Sequence, residues 1–393
     1  MNVLMVTNGH GEDRLALTLV RALRQRRPAL TIRAVPLVGE GRLLEEAGIG
    51  VPGPRVRVPS GGLVRPNLGA VWRDVRAGLL GQFRRQMDFL RAQAPGVDWV
   101  IAVGDTFAAW AAGRCLPGTP MILVATAKSE YIHGHSRLEA WWMRRRCRHV
   151  FARDEPTAAA LRRRGVPASW RGNLMMDALE ITGRAVVAAG EGPVVALLPG
   201  SRADAYDNLA WLADCLEGLA HRHRPPAAGR QLLGLVPLAP GLAMERCLAV
   251  LEERGWVADE PLGGGATVAK PGVRLRLTQG VFGDVVQAAD VVIGLAGTAN
   301  EQAAGLGKPV VAFPGPGVQF GPRFLRAQKR LLGEALAVTP PDPRAVAAEA
   351  AALLSDESRR ARMAAAGRAR MGPPGAAARM AAAIVQIMED GGQ

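Results

Sequence analysis

Cysteine is scarce: four residues in 393, at Cys115, Cys147, Cys215 and Cys247, with no C-x-x-C pair among them. That spacing suggests neither a disulfide framework nor a cysteine-held metal, and it fits a reducing compartment. No uncharged apolar stretch reaches the roughly 18 residues that a membrane-spanning helix needs. The first apolar run has no basic segment before it and stops at Thr7, so it reads as a strand and not as a signal peptide. The chain is expected in the cytoplasm, in solution or peripheral on the inner face of the plasma membrane. Lysine is as rare as cysteine, at Lys128, Lys270, Lys308 and Lys329. Arginine carries the positive charge instead, a compositional bias that says nothing of function by itself.

The charge is unevenly placed. Residues 1–180 hold 27 Lys and Arg against 15 Asp and Glu, and the remainder 22 against 20, within a net charge of +14. Arginines cluster at 24–27, 84–85, 144–148 and 162–164. Such a field suits an anionic partner, whether a membrane surface or a phosphorylated substrate. Any single cluster is equally explained as a solvated helix face. No nucleic-acid module or aromatic-interleaved basic stretch accompanies it, so nucleic acid is not the expected partner.

The length suggests two domains. Strand-length apolar runs alternate with amphipathic stretches: "NVLMV", "TIRAVPLV", "WVIAVG" (99–104), "MILVAT" (121–126) and "HVFAR" (149–153). The order restarts with "PVVALLPG" (193–200), "LLGLVPL" (232–238), "RLRLTQ" (274–279), "VVIGLAG" (291–297) and "PVVAFPG" (309–315). This alternation predicts two Rossmann-like α/β domains, each a doubly wound parallel sheet, over 1–178 and 190–375. A last amphipathic helix, about 376–393, is expected to pack back on the first. "GGGATVAKPG" (263–272) reads as a flexible excursion. Ligands of such sheets bind beyond the carboxyl ends of the strands, here at an expected interdomain cleft.

Two strand ends carry chemistry. In "LLPGSRADAY", Gly200 lets main-chain N–H groups approach an anion, Ser201 adds a hydroxyl and Arg202 a guanidinium fork. A plain Pro-Gly turn is the plainer account. In "GLAGTANEQAAGLGKPVVAFPGPG", Gly297 and Thr298 open a short helix whose free N–H groups and dipole suit a diphosphate. Glu301 either accepts both hydroxyls of a ribose or stabilises its own helix.

This pair of segments resembles the C-terminal half of GT-B glycosyltransferases, and more narrowly lipid A disaccharide synthase. "VDWVIAVGDT" and "RGNLMMDALE" are similar to segments of the same family in matching order. The resemblance implies a GT-B fold and a UDP-sugar donor of the N-acetylglucosamine type. It places Gly200, Ser201 and Arg202 at the diphosphate or sugar, Gly297 and Thr298 at the phosphates, and Glu301 at the ribose. Asn300 and Gln302 would donate to sugar or phosphate. It implies no metal or other cofactor, and the sequence has no Asp-x-Asp to hold one. The acceptor half departs from the family: Ala108 replaces a second acid, Ala296 a serine, and "TAKSEYIHGHS" and "GPGVQFGPRFLRAQKRLLG" stand where the family has other segments.

The loop "TNGHGED" after the first strand lacks the third glycine of a dinucleotide turn, Arg14 standing in its place. Glycosyl transfer needs a base for the acceptor hydroxyl. The candidates are His10, Asp13 and Asp105, with Glu130, His133 and His135 on the acceptor side. Asp13 is equally placed to cap a helix. The expected function is inverting transfer of a sugar from a UDP-sugar to a lipid or lipid-linked acceptor. The alternatives are a non-hydrolysing UDP-N-acetylglucosamine 2-epimerase and a non-catalytic GT-B scaffold. "WWMRRRCRHV" and "GQFRRQMDFLRAQ" are expected to meet an anionic membrane surface, unless they are core-facing helices with solvated arginines.

Overall fold

The computed structural model describes residues 1–9, 11–54, 79–188, 190–222, 231–260, 265–316 and 320–391. The chain forms two compact units, Met1–Ala178 with Pro374–Gln393, and Leu179–Pro373.

In the first unit β1 (Asn2–Thr7), β2 (Thr31–Pro36), β3 (Trp99–Gly104), β4 (Met121–Ala125), β5 (Cys147–Ala152) and β6 (Ala168–Ser169) form one sheet. The order is β2-β1-β3-β4-β5-β6, parallel throughout. Its central strands are continuous apolar runs because helices cover both faces. Successive side chains alternate between two cores. Val3, Met5, Trp99, Ile101 and Val103 enter one, and Leu4, Val6, Val100 and Ala102 the other. The first core is closed by Ala16, Leu19, Val20 and Leu23 of the helix Gly11–Arg26 and by Met380, Ile384 and Met388 of the helix Ala376–Asp390. Their three- and four-residue spacing makes one apolar stripe on each helix. In the second, Ala108, Ala109, Ala111 and Ala112 of the helix Thr106–Cys115 pack flat on the sheet.

One carboxylate secures the returning helix. Asp177 Oδ1 accepts from the Gly375 N–H and Oδ2 from the Ala377 N–H, both at 2.6 Å. It thereby satisfies two of the amides that a helix start leaves without partners. Asp284 does the corresponding work in the other unit. Its carboxylate accepts from the main-chain N–H groups of Thr182 and Gly183 and from the Thr182 hydroxyl, at 2.8–2.9 Å.

The second unit holds β7 (Val194–Leu198), β8 (Leu232–Leu238), β9 (Val257–Asp259), β10 (Ala266–Lys270), β11 (Val273–Gln279), β12 (Val291–Gly294), β13 (Val310–Ala312) and β14 (Leu336–Val338). The order is β14-β13-β12-β7-β8-β11-β10-β9. Six of these strands are parallel, and β10 and β9 add an antiparallel edge. This corrects the expected flexible excursion at 263–272. Ala266–Lys270 pairs with β11 along its length, closed by Pro271 and Gly272, the latter at φ +83°. Proline then positive-φ glycine is the type II turn pattern. The strand escapes a periodicity reading because its buried residues, Thr267 and Val268, are adjacent rather than alternate.

The segment before β7 is tied down by a buried ion pair. Arg276 meets Glu191 at 2.8 Å and donates to the Val186 carbonyl at 2.5 Å, its side chain 3% exposed.

Candidate functional site

Each sheet reverses its winding once. In the first unit the chain passes from β1 to β2, then returns to place β3 on the other flank of β1. In the second it runs from β7 to β8 and β11, then returns to β12 on the opposite side of β7. Loops that leave neighbouring strands at such a reversal diverge, opening a crevice at the carboxyl ends. The sequence candidates after β1, β3, β7 and β12 therefore occupy the two reversal points.

In the second unit, Gly200 takes φ +102° directly after β7. A Cβ on it would lie 3.5 Å from the Leu295 carbonyl oxygen, so the loops after β7 and β12 run against each other. Buried Asn208 fixes the first loop by donating to the Pro199 carbonyl at 2.9 Å. Ser201 and Arg202 are exposed beyond it. The helix Thr298–Gly305 starts at Gly297 with no side-chain cap. The first main-chain bond into the helix runs from the Glu301 N–H to the Gly297 carbonyl at 3.3 Å, and the amides ahead of it have no intrahelical partner. Thr298 is exposed, while Glu301 and Gln302 are half-buried. The structure thus brings Gly200, Ser201, Arg202, Gly297 and Thr298 to one edge of one sheet. Asn300 turns inward: fully buried, it donates to the Gly294 carbonyl at 3.1 Å and to Gln328 Oε1 at 3.0 Å. Its amide is used inside the fold rather than offered to a sugar or phosphate.

In the first unit the opening loop is built around Gly9, at φ +98°. A Cβ there would fall 1.9 Å from the Val38 carbonyl oxygen, so only glycine allows the loop to pass. His10 lies outside the described residues. Asn8 packs its amide against Gly104 at the end of β3. Asp13 is buried and accepts from the Thr7 hydroxyl at 2.5 Å. Asp105 caps its own helix, Oδ1 accepting from the Phe107 N–H at 2.9 Å and the Ala108 N–H at 3.3 Å.

The group that sequence reasoning passes over is Glu12, half-buried between Asp13 and Asp105. Burial raises its carboxyl above the ordinary range; a bond from its own main-chain N–H works against this, and the Asp105 and Asp13 charges add to it. Only position in the fold could single it out, because an acid in a first helical turn is ordinary in sequence.

Beyond β4 lies a second polar network. Lys128 meets Glu139 at 2.8 Å, and the Thr106 hydroxyl donates to the same carboxylate at 2.8 Å. Ser136 and Glu139 form a capping box at the start of the helix Arg137–Arg146. Burial opposes ionisation of Glu139, but the bonds from Lys128, Ser136 and Thr106 and the Lys128 charge prevail and bring it to about 2. His135 is buried with no partner on either ring nitrogen, and burial lowers its pKa, keeping it neutral. The Glu130 main-chain N–H donates to the Thr157 hydroxyl oxygen, and His133 is exposed.

Two neighbouring helices of this unit expose apolar groups. Trp110 is 41% exposed, Leu138 73% and Trp141 50%, and the Arg145 guanidinium lies 4.4 Å over the Trp141 ring. Among the described residues no helix is long and apolar enough to cross a membrane, and no group of three or more His, Cys, Asp or Glu is placed to hold a metal ion.

No family model and no curated protein matches the chain. Solved structures do. The UDP-GlcNAc 2-epimerase of Methanocaldococcus jannaschii matches at 13% identity and TM-score 0.61, over 98% of this chain and 100% of that one. The Neisseria meningitidis UDP-GlcNAc 2-epimerase bound to UDP-GlcNAc matches at 15% and 0.59, over 99% and 100%. The calicheamicin glycosyltransferase CalG4 matches at 15% and 0.59, over 100% and 99%. This likeness does not reach the narrower resemblance to lipid A disaccharide synthase. Two doubly wound units, matched over nearly the whole length to such structures, give the chain the GT-B fold.

Proposed function

We propose that the chain is a UDP-sugar enzyme, an inverting glycosyltransferase that moves an N-acetylglucosamine-type sugar to a lipid or lipid-linked acceptor. The observation that carries this reading is the meeting of Gly200, Ser201 and Arg202 with the uncapped helix start at Gly297 and Thr298, at the winding reversal of one sheet. Exposed donors, a guanidinium and a helix dipole together suit a diphosphate. Support also comes from the matched structures, one of which holds UDP-GlcNAc.

The reaction needs one proton acceptor and one stabilised leaving group. The acceptor hydroxyl gives its proton to a base and its oxygen attacks the anomeric carbon. The bond from that carbon to the diphosphate breaks, and UDP leaves with the electron pair. Glu12 is the favoured base: burial raises its carboxyl against the bond from its own main-chain N–H, while Asp13 holds the Thr7 hydroxyl and Asp105 caps its own helix. A carboxyl raised by burial is a stronger base at neutral pH than an ordinary one. The exposed Trp110, Leu138 and Trp141, flanked by arginines, suit the surface of an anionic bilayer where such an acceptor resides. Isothermal calorimetry with UDP-N-acetylglucosamine tests the donor half, and absence of binding would sink the reading. Co-sedimentation with vesicles containing phosphatidylglycerol tests the surface, which Trp141→Ala and Leu138→Ser are expected to weaken.

A second reading is a UDP-N-acetylglucosamine 2-epimerase, favoured by the two epimerase structures among the matches. Appearance of UDP-N-acetylmannosamine on incubation with the donor alone would decide for it.

A further inference from the structure

The turn that presents the candidate diphosphate site is held from beneath by a side chain of a distant helix. Gln328 lies on Pro322–Leu332 and is 2% exposed. Its Nε2 donates to the carbonyl of Ala296 at 3.2 Å and of Gly297 at 3.0 Å. Its Oε1 accepts from Asn300 Nδ2 at 3.0 Å, and the same Asn300 amide donates to the Gly294 carbonyl at 3.1 Å. Three hydrogen bonds from two buried amides thus hold the carbonyls of Gly294, Ala296 and Gly297 between the end of β12 and the helix Thr298–Gly305, and a fourth joins the two amides to each other.

We propose that Gln328 is the positioning residue of this site, setting the direction of the first helical N–H groups toward a ligand's diphosphate. This rests on the donor-site reading above. The physical reason is polarity within the turn. A peptide unit whose carbonyl is drawn inward has its N–H directed outward, since the two groups are antiparallel across the peptide plane. Pulling the carbonyls of Ala296 and Gly297 into the core therefore turns the N–H groups of Gly297 and Thr298 away from it. Gln328 supplies that pull without a charge, so it does not oppose an anion bound on the other side. Asn300 alone cannot do this work, because the main-chain carbonyl its amide reaches is that of Gly294. A hydrocarbon at position 328 would take from the buried Ala296 carbonyl the donor that Gln328 supplies and leave the Gly297 carbonyl with the Glu301 N–H alone, and the turn would relax toward water.

The test compares UDP with UMP, which share the nucleoside and differ in the outer phosphate. Wild type is expected to bind UDP more tightly by calorimetry. Gln328→Met is expected to remove that preference by about tenfold, the scale of one lost hydrogen bond, with UMP affinity nearly unchanged. Circular dichroism and thermal melting establish that the variant is folded. Should Gln328→Met not fold, Gln328→Glu keeps the length and the acceptor for Asn300 while removing both carbonyl donors, and the same loss is expected. A folded variant that keeps the full UDP preference would overturn the assignment and leave Gln328 as packing only. Wild type that binds UDP and UMP equally, or neither, would instead overturn the donor-site reading beneath it.

Discussion

Thr7 donates its hydroxyl to Asp13 at 2.5 Å across the opening loop, both side chains buried. The bond joins the last residue of a strand to the first turn of the helix after it. It makes Asp13 a fastener of that loop. Thr7→Val is expected to cost about 1–3 kcal/mol in urea denaturation, because it removes a hydroxyl donor from a buried carboxylate. UDP affinity should be unaffected, since the residues proposed to hold the diphosphate lie in the other unit.

Glu12→Gln is expected to slow turnover by about 10²–10⁴-fold, the range for loss of a general base. The pH dependence has a definite sign. Glu12 acts when ionised and its folded pKa is raised, so wild-type activity should climb as pH rises through that pKa and then level off. Stability moves oppositely. A carboxyl raised in the folded state contributes stability below its unfolded pKa and loses it as pH rises through the folded one. Glu12→Gln should therefore be more stable than wild type at neutral pH while being less active. A variant of unchanged activity would remove Glu12 from the chemistry.

Glu139 behaves in the reverse sense. With its pKa brought to about 2 from an ordinary 4.5, its contribution is present above 4.5 and disappears as pH falls through 2. Acid unfolding of Glu139→Gln, followed by tryptophan fluorescence, should show a weaker dependence on pH across that window. Lys128→Met should flatten the same window.

Removing one partner of the Arg276–Glu191 pair should be severe. Glu191→Ala leaves a buried guanidinium with only the Val186 carbonyl, at an expected cost of about 3–5 kcal/mol. The double change Arg276→Met with Glu191→Leu should recover much of it, which a double-mutant cycle by urea denaturation would show.

Much of this fold was legible in the sequence, for a physical reason. Strands covered on both faces must be apolar throughout, so "WVIAVG" and "LLGLVPL" coincide with β3 and β8 to the residue. β10 was not legible, because it lies in the antiparallel margin of the sheet between β11 and β9, and its adjacent buried residues Thr267 and Val268 give no period. The site divides in the same way. Glycine at 200 and 297 marks places where main chain must come close, and the winding reversal does place both at one sheet edge. Side-chain commitments could not be read: whether Asn300 faces out or in depends on Gln328, 28 positions later. Nor could Glu12 be preferred to Asp13, since the two adjacent acids differ only in which of them the fold buries completely.

The Asp177 carboxylate ties together residues about 200 positions apart, at Gly375 and Ala377. The first unit is therefore unfinished when its own stretch of chain has left the ribosome. Met380, Ile384 and Met388, which close one of its two cores, are made only after the whole of the second unit. Until they arrive, Val3, Met5, Ile101 and their neighbours present an open apolar face to whatever is nearby. The second unit, continuous in sequence, has no such wait and can fold while the first is still incomplete. A chain cut before Pro374 would thus keep one sound unit and carry one that chaperones must hold.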